Sequence, residues 1–107
     1  MSELPARTGT AAGASPRPPY LWATLAGGLV FLLYAVTLAP TTAFWDTSEY
    51  IATGWIMGIP HPPGNPLFVV LGRAWILLLA PTGLPVAVRV NLLAAATSAG
   101  AAFFWFL

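Results

Sequence analysis

The chain has 107 residues, of which 58% are hydrophobic and only 7% charged, with a mean hydropathy of +0.79 and a formal net charge of +1. An ordinary soluble domain carries roughly a quarter of its residues as charged side chains, so the composition is that of an integral membrane protein, and the few scattered arginines exclude a nucleic-acid-binding surface. The absence of cysteine excludes disulfides, thiolate metal sites and thiol catalysis.

Residues 1–19 are small and polar, with Pro5, Pro16, Pro18 and Pro19 opposing regular structure, and they read as a disordered cytoplasmic tail whose basic residues are Arg7 and Arg17. Residues 20–39 form an uncharged apolar run of about the ~20 residues that a hydrocarbon core requires. That run exceeds the ~7 to 15 residues of a signal-peptide core, and Pro40 stands where a small-residue cleavage site would be, so it is predicted to be an uncleaved transmembrane helix. Arginines before the run and acids after it orient the N-terminus inside and Asp46 outside.

Beyond Pro40, Asp46, Glu49, Tyr50 and Thr53 recur at helical spacing, with Ile51, Trp55 and Ile56 on other faces, which predicts a short helix over about 47–57 lying in the membrane interface. Gly58 suits its end, and Pro60 keeps Ile59 out of the helical region. HPPGNP is then a stiff connector, with Asn65–Pro66 as the next helix start. The fifteen residues of 66–80, at ~1.5 Å each, reach ~22 Å and fall short of a ~30 Å core. Arg73 in their middle would be unfavourable toward lipid by roughly 2.5 kcal/mol. This segment is therefore read as a second juxtamembrane helix. After the turn PTGLP, residues 86–107 are long enough to span, with Arg89 and Asn91 near the start and the small residues of AAATSAGAA permitting close helix packing.

The expected fold is an all-α integral membrane chain, with two transmembrane helices and two short juxtamembrane helices in an external loop over 40–85. The run AAFFWFL closes the sequence without a polar flank, which reads as the N-terminal portion of a longer helical bundle. Further spans, or a partner subunit, would then be needed to enclose a substrate within the lipid bilayer.

The chemistry lies between the spans. Asp46 and Glu49, three apart on a helix, present both carboxylates on one face, close enough to share a proton, a divalent cation or a substrate hydroxyl. The same spacing fits a capping box, with Asp46 as N-cap and Glu49 at its third position. His61 suits either a headgroup contact or a ligand or phosphate role. An Asp46/Glu49/His61 zinc site lacks the paired-histidine spacing of such sites. Arg73 and Arg89 fit two readings, snorkelling to headgroups or binding an anionic group with the guanidinium fork. Trp45 and Tyr50 read as aromatic-belt anchors.

The order of one span, WDTSEY, a short helix, HPPGNPLF, a second short helix, a G-L-P turn and an arginine opening the next span resembles the N-terminal part of C-type glycosyltransferases. These polytopic enzymes use polyprenyl-phosphate-linked sugars and include protein O-mannosyltransferase relatives; the similarity is greatest to a bacterial branch carrying D-x-x-E and H-P-P-G-x-P-L. The resemblance runs from about Leu25 to the end. It implies a bacterial inner-membrane location, a catalytic base at Asp46, and Glu49 orienting the acceptor or holding a divalent cation. It further implies that His61, and Arg89 at the start of the second span, face the donor phosphate. Arg89 would then be external, against the positive-inside rule, whereas the short 66–80 helix and Arg73 both disfavour a span there. The rival readings are a non-enzymatic scaffold subunit with a purely structural acid pair, or a transporter portion with the acids as a cation relay.

Overall fold

A computed structural model describes residues 17–42, 44–62 and 64–107, and these are all-helical. The expected tail over 1–19 lies mostly outside the described residues. Four α-helices follow in order: α1 (Tyr20–Val36), α2 (Thr47–Ile56), α3 (Pro66–Leu78) and α4 (Val86–Trp105), with a single 3₁₀ turn at Ala80–Thr82. Three of them begin beside a proline: Pro19 before α1, Pro66 as first residue of α3, and Pro85 before α4.

Among the described residues, α4, with 20 residues, is the helix long and apolar enough to cross a membrane by length and composition. The expected first span is shorter than 20–39. α1 stops at Val36, where the Thr37 hydroxyl donates to Leu33 O at 2.8 Å and the chain then extends toward Pro40. Its 17 residues reach ~25 Å at ~1.5 Å each, so two full-length spans are not what these helices provide. α3 likewise ends at Leu78, two residues early, because Pro81 turns the chain into the 3₁₀ segment.

α1 and α4 pack antiparallel. Gly27 lies opposite Ala99 and Phe103, while at the other end the Asn91 carboxamide donates to Ala39 O (2.9 Å) and Thr41 O (3.3 Å). A Cβ on Gly27 would stand 3.0 Å from Ala99 O, so the absence of a side chain there sets how closely the two helices approach. Ala23 and Ala95 are buried beside it.

α2 and α3 run parallel, with Tyr50 beside Phe68 and Gly54 beside Gly72. Two parallel helices need a connection that returns along the first, and residues 57–62 with 64–65 take that course, ending with the Asn65 amide donating to the Tyr50 hydroxyl. The return begins at Met57, whose φ of 57° is left-handed, and the Gly58 N–H reaches back to Thr53 O at 3.1 Å. The left-handed position at the end of α2 thus falls one residue before the glycine. α3 is held to the start of α4 by Trp75 Nε1, which donates to Arg89 O at 2.8 Å. The two short helices therefore form one layer at the Ala39/Arg89 end of the α1–α4 pair.

Candidate functional site

Asp46 immediately precedes α2, yet its carboxylate makes no capping hydrogen bond; the Thr47 hydroxyl instead donates to Phe44 O at 2.7 Å. Glu49 does not fold back onto the Asp46 backbone either. Its two oxygens accept from the His61 backbone N–H at 2.6 Å and from His61 Nδ1 at 2.7 Å. The capping-box reading is thus replaced, because the returning connector competes for Glu49 and offers it two donors at once.

An ionised carboxylate only accepts, so the proton of the short contact is assigned to Nδ1. His61 Nε2 stands 3.9 Å from Asp46 Oδ2, so one imidazole lies between two carboxylates. Hydrogen bonding to His61 lowers the Glu49 carboxyl below its ordinary 4.5, and the Glu49 hydrogen bond, followed by its charge, raises the imidazole above 6.5. All three side chains are partly open to solvent, which moderates these attractions.

Asp46, Glu49 and His61 each offer one ligand atom within 4.8 Å of the others. His61 Nδ1 is committed to Glu49 Oε2 at 2.7 Å, so the ring nitrogen turned toward Asp46, and open to a cation from that side, is Nε2.

Of the three, Asp46 alone faces a cleft of about 600 Å³. One wall carries Trp45, Asp46, Tyr50 and Phe68; Val90 and Asn91 of α4 stand opposite. Tyr50 and Phe68 meet edge to face with centroids 5.0 Å apart, and the Asn65 amide holds the Tyr50 hydroxyl, so this wall is fixed by its own contacts. Glu49 and His61 sit behind it, away from the cleft lining.

The two arginines are placed elsewhere. Arg73 Nη1 donates to Trp55 O at 2.6 Å, with the guanidinium 5.0 Å from the Trp55 ring centroid, so it secures the end of α2 against α3. Arg89 donates through Nε to Leu84 O (2.7 Å) and through Nη1 to Ile76 O (3.1 Å), closing the turn between α3 and α4. Among the described residues neither pairs with Asp46 or Glu49. Sequence reasoning singles out the acids and His61, which the fold brings together, but gives Asn65 only a helix start and Asn91 no partner. The signal was available, since a carboxamide in an apolar run needs a partner.

Residues 46–107 match the profile described as the protein O-mannosyl-transferase TMEM260 N-terminal domain, and this segment contains Asp46, Glu49, His61, Arg73 and Arg89. Among curated proteins, the chain is 29% identical over 76 residues to protein O-mannosyl-transferase tmem260 of Dictyostelium discoideum, covering 71% of this chain and 9% of that protein. It is 39% identical over 77 residues to protein O-mannosyl-transferase TMEM260 of Mus musculus, covering 72% and 11% respectively. The chain thus spans about a tenth of the length of these relatives. No solved structure matches it. With the profile covering more than half of its residues, including the whole acid–histidine cluster, the chain belongs to the protein O-mannosyl-transferase TMEM260 N-terminal domain family.

Proposed function

We propose that this chain is the N-terminal part of a membrane glycosyltransferase of the C-type class, which moves a sugar from a polyprenyl-phosphate donor to an acceptor hydroxyl. The observation that carries the reading is the position of Asp46: it lines an aromatic-walled cleft while Glu49 and His61 are bound to each other behind it. The names of the relatives, protein O-mannosyl-transferases, support sugar transfer, with mannose as the first candidate.

In this mechanism Asp46 takes the proton of the acceptor hydroxyl as its oxygen bonds to the anomeric carbon. The bond from that carbon to the phosphate oxygen breaks, its electron pair leaving on the lipid phosphate, so the protein's contribution is positioning and charge placement. The His61 imidazole, held by Glu49, sets Nε2 3.9 Å from Asp46 Oδ2 and so positions that carboxylate at the cleft. Among the described residues Arg89 Nη2 makes no hydrogen bond, and it is the candidate contact for the donor phosphate; Arg73 acts by holding α2 in place. The α2–α3 layer would face the outer side of the membrane. Further spans complete the enclosure of the donor, so this segment by itself does not turn over.

The test is Asp46→Asn in the full-length protein, assayed for transfer from a polyprenyl-phosphate sugar with membrane insertion followed in parallel. Loss of transfer by at least a hundredfold with normal insertion is expected. Wild-type turnover by that variant overturns the assignment.

A further inference from the structure

We infer that Trp45 is a stacking platform for a sugar ring, which makes the cleft beside Asp46 a pyranose-binding subsite. The inference rests on the sugar-transfer reading for its ligand class and on the backbone and exposure of Trp45 for its location. Trp45 has φ of 60°, a left-handed conformation that side chains other than glycine and asparagine rarely adopt. Packing does not offset that strain, because the residue is 92% exposed, and no aromatic pair or side-chain hydrogen bond of its indole is found among the described residues. A strained bulky residue without packing beside a candidate catalytic carboxylate points to a contact made with something outside the chain.

The geometry says what kind of contact. In an extended chain successive side chains point to opposite sides, whereas here the consecutive residues Phe44, Trp45, Asp46 and Thr47 all line the same cleft, with the left-handed turn at Trp45. An indole face next to a carboxylate, with the carboxamides of Asn65 and Asn91 also lining the cleft, matches the two chemistries of a pyranose. The C–H groups on one face of the ring lie against an aromatic surface, and the hydroxyls at its edge reach amide and carboxylate oxygens. The cleft volume of about 600 Å³ is in the range of small-ligand sites.

The competing role for Trp45 is an interfacial anchor that touches lipid headgroups, and the experiment separates the two. The 107-residue chain is reconstituted in phospholipid nanodiscs and titrated with methyl α-mannopyranoside, with saturation-transfer NMR reporting protein contact at the ring C–H protons. The expected result is transfer to the pyranose that falls at least fivefold in Trp45→Ala and is retained in Trp45→Tyr. Equal transfer in wild type and Trp45→Ala overturns the inference, as does the absence of transfer in wild type. A Trp45→Ala variant that extracts more easily from the membrane while keeping its sugar contact identifies the anchor role and likewise overturns it. Failure of the sugar-transfer mechanism shows separately, as turnover by Asp46→Asn in the full-length protein, and leaves a Trp45-dependent sugar contact standing.

Discussion

His61 gives Glu49 two hydrogen bonds, one from its backbone N–H at 2.6 Å and one from ring Nδ1 at 2.7 Å, across twelve residues of sequence. The pairing exists because the connector from α2 to α3 doubles back along α2 instead of leading away from it. It ties the connector to the first turn of α2 and sets His61 Nε2 3.9 Å from Asp46.

This pair predicts a pH window. The Glu49 contribution is present above its ordinary 4.5 and is lost as pH falls through its lowered value; the His61 contribution is present below 6.5 and is lost as pH rises through its raised value. The two overlap fully between 4.5 and 6.5. Thermal unfolding in detergent should therefore show a wild-type advantage over Glu49→Gln across that interval which fades on both sides. The His61 ring, followed by NMR, should titrate nearer 6.5 in Glu49→Gln than in wild type.

The closeness of α1 and α4 predicts unequal responses from adjacent glycines. Gly27→Ala brings a methyl to 3.0 Å from Ala99 O and 3.2 Å from Phe103 Cβ, and separating the helices should cost about 1–3 kcal/mol. Gly28→Ala meets nothing within 4 Å and should gain about 0.5–1 kcal/mol from helix propensity. Unfolding midpoints of the two variants moving in opposite directions would bear this out; equal shifts would contradict it.

Arg73→Met removes the hydrogen bond to Trp55 O and the contact over the Trp55 ring, and should destabilise the end of α2 by about 1–2 kcal/mol. Arg73→Lys should recover part of that loss, since an ammonium reaches the carbonyl but lacks the planar fork. Hydrogen exchange at the Met57 and Gly58 amides is the direct readout. Unchanged protection in Arg73→Met would show that α2 is held by its packing on α3 alone.

Asn91→Ala withdraws the donor shared by Ala39 O and Thr41 O, at a cost of about 1–3 kcal/mol if those carbonyls remain unpaired. Asn91→Asp should behave similarly, because an ionised carboxylate donates nothing. A cysteine placed at Ala39 should be labelled faster by a water-soluble thiol reagent in either variant than in the otherwise wild-type chain.

The helices themselves were legible because their signals are local. Pro66 and Pro85 mark starts, Pro40 and Pro81 exclude continuation, and apolar runs between them leave few alternatives to a helix. Small departures came from side chains acting one turn away, as when the Thr37 hydroxyl takes Leu33 O and α1 ends before Ala39. The acid pair and His61 stood out for the same elementary reason: ionisable groups between apolar segments are costly without partners.

Local signals fix the all-helical chain, its membrane-type composition and the three ionisable residues that meet at the start of α2. Their partners follow from how the helices pack. Spacing puts Asp46 and Glu49 on one face and leaves a cap and a chemical pair both open, whereas the parallel course of α2 and α3 obliges the connector to return, and the return delivers two N–H donors that take Glu49. Asp46 is left facing the cleft. The same holds for Arg73 and Arg89, whose partners are backbone carbonyls exposed at helix ends. Periodicity says where a helix ends; which side chain reaches that end depends on how the helices pack.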